Sequence, residues 1–320
     1  VPIMRISTAL IFDSGVFGMQ RNQSELAKFM EHLSTGRRIL TPKDDAVAAA
    51  ESLKVTQANE VNNQYLTNQA SAGTALNELD NNMANLTDEL QNILEKTIQA
   101  GNGAYSPEQR GMIAEELRQR FENILSIANT RNANGGYIFS GTKTQVQPFQ
   151  VIGSGGNYDL TNLYVGYQGD AGPREVQANA SQTVDTAVDG QTLFMQVRDG
   201  TGTATGRGLF DSLQNIIDIL DPTSGVPFTT ASYTQGVADL HAVIDHVSRV
   251  RASVGARVQA LDSMTALGED QNLQYEQRLS KLQDLDYAEA ISKLTQQQVQ
   301  LQAAQLSFKQ INQLSLFNIL

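Results

Sequence analysis

Two runs of heptad-spaced apolar residues, far apart in the chain, constrain the fold more than any other feature. In the first, Ala72, Leu76, Leu79, Met83, Leu86, Leu90, Ile93 and Thr97 alternate steps of four and three. In the second, Leu240, Ile244, Val247, Arg251, Val254, Val258 and Leu261 do the same. That spacing keeps one apolar stripe of a helix turned toward a partner. The helical sequence holding the first run extends from Pro42 to about Gly101 and would be about 85 Å long; the second, from about Ala231 to Leu282, would be roughly 75 Å. Two stripes of similar length bury each other most simply as an antiparallel helical rod. Arg251 interrupts the second stripe, and we expect it snorkelling or paired at a bundle edge.

Further helices flank this pair. From Ser7 to Ser34, the residues Leu26, Phe29, Met30 and Leu33 form one helical stripe, which Gly36 ends. Thr41-Pro42-Lys43-Asp44 reads as the next helix start. Thr41 is its expected cap, Pro42 its first residue, and Asp44 and Asp45 bring negative charge to the first turn. Gly101-Asn102-Gly103 is a turn, and Ser106-Pro107-Glu108-Gln109 is a capping box opening a helix to about Asn129. Between Gly135 and Gly208 the character changes. Short alternating stretches, Asn157–Tyr167 and Arg174–Ala180, are separated by Gly, Asp, Asn and Thr clusters, the pattern of a small inserted β-rich domain. Helical spacing returns with Leu209, Leu213, Ile216, Ile217 and Leu220 and stops at Asp221-Pro222.

The last segment starts at Asp286-Tyr287-Ala288-Glu289, with Asp286 as cap, and runs through Ile291 and Leu294 to Leu320. Between Lys293 and Lys309 it carries no charged side chain. A polar face of Gln, Thr and Ser suits a helix that ends packed among others, where an ion would lose its hydration. The expected assembly stripes are Leu10, Phe17, Leu26 and Phe29 at one end and Leu301, Phe308, Ile311, Leu316 and Phe317 at the other. Short helices of this kind are marginal alone, so both ends are expected to order on assembly.

Composition removes several alternatives. A chain of 320 residues holds a sizeable core and two or three domains, and its abundant Gln, Asn, Ala and Leu with only 6% aromatics favour long helices. A net charge of −11 without a basic stripe argues against nucleic acid. No apolar run approaches the roughly 20 residues of a membrane span. Asp13, Gly15 and Gly18 interrupt the apolar residues of Val1–Gln20, so this stretch is not read as a signal-peptide core, and export without a cleaved leader is expected. Cysteine is absent.

Catalytic and metal chemistry find no foothold. His241 and His246 are five apart, not the i, i+4 pair of a helical metal site, and His32 stands alone. Asp44-Asp45 and Asp284/Asp286 sit where helices begin, so capping accounts for them. The glycines of 153–156 and 200–208 contain no phosphate-cradling motif, and no serine has a nucleophile-elbow context. Residues 141–206 contain neither His nor Cys. We expect no cofactor, no metal and no enzyme. Heptads alone fit a signalling rod or an adhesin stalk equally.

Particular residues narrow the choice. Met4-Arg5-Ile6-Ser7-Thr8, Leu33-Ser34-Thr35-Gly36-Arg37-Arg38-Ile39 and Thr41-Pro42-Lys43-Asp44-Asp45 resemble the N-terminal region of the bacterial flagellin superfamily. Val254-Gly255-Ala256-Arg257, Asp284-Leu285-Asp286-Tyr287-Ala288-Glu289 and Leu314–Leu320 resemble its C-terminal region. Asn132 to Thr144, followed by Pro148-Phe149, resembles the hook-associated, junction-forming members; flagellin, the bulk filament subunit, is the alternative. Val1-Pro2-Ile3 ahead of Met4 departs from the pattern.

The resemblance implies an inner helical domain from residues 1–40 and 284–320, a helical rod from 41–140 and 207–283, and a β-rich outer domain at 141–206. It further implies an extracellular axial protein of the flagellum, exported unfolded through the flagellar type III apparatus with a dedicated chaperone on its C-terminal region. The implied partners are copies of itself in a ring, the first hook-associated protein on the hook side and flagellin on the filament side.

Overall fold

The computed structural model describes residues 8–151 and 164–317, with side chains described at Leu10 and from residue 12 to residue 310 within those ranges. The readings at Met4–Ser7, at Gly153–Gly156 and at Asn157–Leu163, and the side chains of Ile311, Leu316 and Phe317, lie outside the described residues. The described residues form six α-helices: α1 (Thr8–Thr35), α2 (Ala46–Ala100), α3 (Pro107–Ala128), α4 (Leu209–Leu220), α5 (Thr230–Gln283) and α6 (Tyr287–Phe317). Between α3 and α4 the described residues form four three-residue strands, β1 (Phe149–Val151), β2 (Val165–Tyr167), β3 (Glu175–Gln177) and β4 (Thr183–Asp185), and a π-helical turn, Gln191–Met195. The architecture is mainly α with a small inserted strand region. Two compact units result: Asn63–Glu269, and Val1–Asn62 with Asp270–Leu320.

In the unit 63–269 the first heptad is buried from Ala72 to Ala100. From α5 it is met by Leu240, Val243, Val247, Val254 and Leu261, with Ile244 and Val258 at the margin. The pairing is antiparallel. Leu261 lies beside Gly73, Arg251 bonds Asp80, and the Tyr233 hydroxyl donates to the Thr97 carbonyl at 3.0 Å. Thr97, the polar end of the stripe, is fully buried and donates its own hydroxyl to the Ile93 carbonyl at 2.8 Å. Ser106 caps α3 in a reciprocal box with Gln109, and α3 buries Leu117, Phe121, Ile124 and Ala128. The helix α4 is buried on almost every side.

Among the described residues of the insert two antiparallel pairs form, β1 with β2 and β3 with β4, and most of the others are turn, bend or irregular chain. A buried aromatic cluster ties it to the helices. Phe149 packs on Phe194 with centroids 4.8 Å apart and on Phe210 at 5.5 Å, and Phe210 on Phe121 at 5.5 Å.

Candidate assembly surface

The second unit is built from the two ends of the chain. In it α1 and α6 pack side by side and antiparallel. Tyr287 reaches Gly36 at one end of the pair, and the Phe12 and Phe308 rings stand 5.0 Å apart toward the other. The start of α2 continues its heptad upstream, but with Ala48, Ser52, Val55, Asn59 and Asn62. Small and polar residues in a seam contribute far less burial than Leu or Met. Among the described residues of this unit, the buried apolar side chains are only Ala48, Val55 and Ala290.

Large apolar side chains stay uncovered instead. Leu10 is 65% exposed, Phe17 70% and Leu306 66%, and Phe12, Met30, Ile291 and Val299 are also exposed. Of the residues expected at the assembly stripes, Leu10 and Phe17 are thus open, while Leu26, Phe29, Leu301 and Phe308 are half-buried. Sequence reasoning missed Val299 and Leu306. Helical spacing points to a single stripe on α6, whereas its apolar residues occupy more than one face, as on a helix covered all round. The charge-free stretch between Lys293 and Lys309 lies on this helix.

The two connections within this unit are clasped together. Arg37 bridges Asp284, Arg38 N–H donates to the Gln283 carbonyl at 2.6 Å, and Leu285 N–H to the Gly36 carbonyl at 2.9 Å. The Arg38 guanidinium donates to the Leu282 carbonyl at 2.8 Å and to Asp45 at 3.1 Å. Motifs from opposite ends of the sequence, around Arg37-Arg38 and around Asp284–Asp286, therefore meet in space.

Capping here departs from the expected scheme at one end. Thr41 and Asp44 do not cap α2. The Asp44 carboxylate accepts from the N–H of Leu40 and Thr41 and from the Thr41 hydroxyl, closing a turn ahead of the helix. Asp45 is the cap, accepting from Ala48 N–H at 2.9 Å. The reason is geometric: a carboxylate reaching backward to residue 41 cannot also reach forward to an N3 amide. The Thr41 N–H holds the Asp44 carboxyl below its usual range, and the Ala48 N–H followed by Arg38 does so for Asp45. At α6, Asp286 accepts from the N–H of Ala288 and Glu289.

The histidines are dispersed. His32 donates from Nδ1 to the Arg37 carbonyl, His246 is buried in the other unit, and His241 is exposed. Among the described residues there is no group of three or more His, Cys, Asp or Glu placed to hold a metal ion, and no helix is long and apolar enough to cross a membrane.

Comparison with known proteins bears on both units. Residues 6–144 match the bacterial flagellin N-terminal helical region, and residues 237–320 its C-terminal helical region. The chain belongs to the bacterial flagellin family. Flagellar hook-associated protein 3 of Escherichia coli (strain K12) is 29% identical over 326 residues, covering 99% of this chain and 99% of that protein. Flagellin FlaB1 of Treponema pallidum (strain Nichols) is 25% identical over 291 residues, covering 90% of this chain and 89% of that protein. The crystal structure of flagellar hook-associated protein 3 from Legionella pneumophila shares the fold, with a TM-score of 0.62 at 19% identity over 71% of this chain and 98% of that one. The chain is thus close to hook-associated protein 3, and its match to the flagellin is weaker.

Proposed function

We propose that this chain is a non-catalytic structural subunit of the bacterial flagellum that joins hook to filament from outside the cell. The observation that carries the proposal is the uncovered apolar surface of α1 and α6, beside a stretch free of charge. Covering one Leu or Phe contributes about 1.5–3 kcal/mol, so a few per contact offset the ordering of two helices. Head-to-tail contacts between identical subunits generate rings and tubes. Residues 1–40 and 284–320 would be the inner part of such a ring, 41–140 and 207–283 its rod, and 141–206 its outer part. The neighbours would be further copies, the first hook-associated protein on the hook side and flagellin on the filament side, with an export chaperone holding the C-terminal region beforehand.

Cells lacking the protein test this reading. Hooks without filaments, with flagellin shed into the medium, are expected; normal filaments would overturn it. A chain truncated ahead of Leu301 should keep the unit 63–269 folded but fail to enter the flagellum. Hydrogen exchange in α1 and α6 should slow on assembly.

A further inference from the structure

Within the unit 63–269, the end of the insert and α5 line an open cleft of about 480 Å³. Its size falls within the range of small-ligand sites. On α5, Arg249, Ser253 and Arg257 are spaced four apart and so share one helical face; Arg198 enters from the insert, beside its bridge to Ala204.

Three arginines line the cleft although the chain is acidic. Arg257 donates to the Asp185 and Ala187 carbonyls and faces the Asp185 carboxylate at 3.5 Å. Asp189 is turned away to other donors, accepting from the N–H of Gln191 and Thr192 and from the Thr192 hydroxyl. Arg198 and Arg249 bond only backbone carbonyls: Arg198 to Gly202 at 3.1 Å, and Arg249 to Arg198 at 2.6 Å and Asp245 at 3.3 Å. Neither donates a hydrogen bond to a carboxylate among the described residues, although Asp199 lies near Arg249: the Thr201 hydroxyl and the Thr203 N–H, and lastly Arg249, hold its carboxyl below the usual range. The Ser253 hydroxyl is likewise without a protein partner there. Buried His246, which donates from Nε2 to the Thr192 carbonyl, feels this field: burial first, then Arg249 and Arg198, hold its pKa below the usual value.

We propose that this cleft binds a single carboxylate, held between the guanidinium groups of Arg198 and Arg249 with Ser253 as a further donor. Three guanidiniums stand against Asp185, Asp189 and Asp199, so no surplus charge favours a polyanion, while the Arg198 and Arg249 N–H groups that no carboxylate accepts suit one carboxylate. Planar guanidinium forks match that group in two-pronged geometry. Ala187 and Val250 give its carbon chain an apolar wall. The carboxylate is either that of a small organic acid or a Glu or Asp side chain of a second copy of this chain.

Propionate is the probe. Titrated into the ¹⁵N-labelled full chain at constant ionic strength, it should move the Arg198 and Arg249 Nε–H resonances saturably, while neutral propionamide should not. R249Q and, separately, the exposed R198Q should each weaken binding by about tenfold, the loss expected of a charge-assisted hydrogen bond. Shifts that never saturate, that propionamide reproduces, or that survive in both variants would overturn the proposal. Sedimentation then separates the sources. Self-association weakened by propionate and by R198Q supports a neighbour's side chain; saturable binding with unchanged self-association supports a free acid.

Discussion

Arg251 grips Asp80 with two hydrogen bonds, Nε to one carboxylate oxygen at 2.9 Å and Nη2 to the other at 3.2 Å. This happens where the α5 stripe admits a charge in place of an apolar residue. Both side chains keep about a third of their surface in water, so the pair is of the weak, solvated kind despite its geometry. A double-mutant cycle with D80A and R251A, followed by urea unfolding, should give a coupling of about 0.5–1 kcal/mol that shrinks in high salt. A salt-independent coupling of several kcal/mol would mean the pair is far drier than its exposure indicates.

The two units should answer large-to-small substitutions in opposite ways. Leu86 is fully buried in the α2 stripe, and L86A should cost about 2–5 kcal/mol through lost burial and the cavity left behind. Phe17 is 70% exposed, so F17S should leave the melting of the isolated chain within about 0.5 kcal/mol of the parent. Incorporation into flagella should nevertheless fail in F17S. Full incorporation would remove Phe17 from the assembly surface.

Much of this was legible in the sequence, and the boundary is physical. Heptads and the box at Ser106-Gln109 report local geometry, so α2, α3 and α5 could be placed from spacing alone, including the fate of Arg251. Long-range contacts leave no such trace. Nothing periodic announces that Phe121, Phe149, Phe194 and Phe210 converge, because each comes from a different element. Competition among side chains is equally silent: two adjacent aspartates each suit a cap, and only in the folded chain does Asp45 take that role with Asp44 turned back on Thr41. Where α6 carries apolar residues on several faces, one chain cannot reveal which face a neighbour covers.

The Asn132–Thr144 stretch depends on Gly141. Its φ is +67°, and an added Cβ would stand 2.1 Å from the Asp170 carbonyl oxygen. The Thr142 N–H and hydroxyl bond the Asp170 carboxylate from the same turn. G141A therefore meets both a left-handed backbone and a backbone clash, and should destabilise the unit 63–269 by about 2–4 kcal/mol. Since buried Phe139 is two residues away, near-ultraviolet circular dichroism should weaken with it. An unchanged melt would show that the turn yields freely.

Acid should act on this unit through Asp221 and Asp218 with opposite signs. Burial pushes the Asp221 carboxyl up, but hydrogen bonds from Arg118 and Thr223 outweigh it and hold its pKa below 3.8. A depressed folded value means that its contribution is complete above the unfolded pKa, about 4, and is lost as pH falls through the folded one. Asp218 runs the other way. Burial, with Asp221 nearby, raises its pKa, so its contribution is present below about 4 and lost as pH rises through the folded value. D221N should therefore cost about 1–3 kcal/mol at pH 7, leaving Arg118 with Glu115 alone, and should flatten the acid limb of stability. D218N keeps the oxygen that accepts from Gln214 and should raise stability at pH 7 by up to about 1 kcal/mol, with the gain fading toward pH 3. Urea midpoints of both variants at pH 7 and pH 3 decide the matter; equal pH dependence in the two would show that neither carboxylate titrates as its surroundings require.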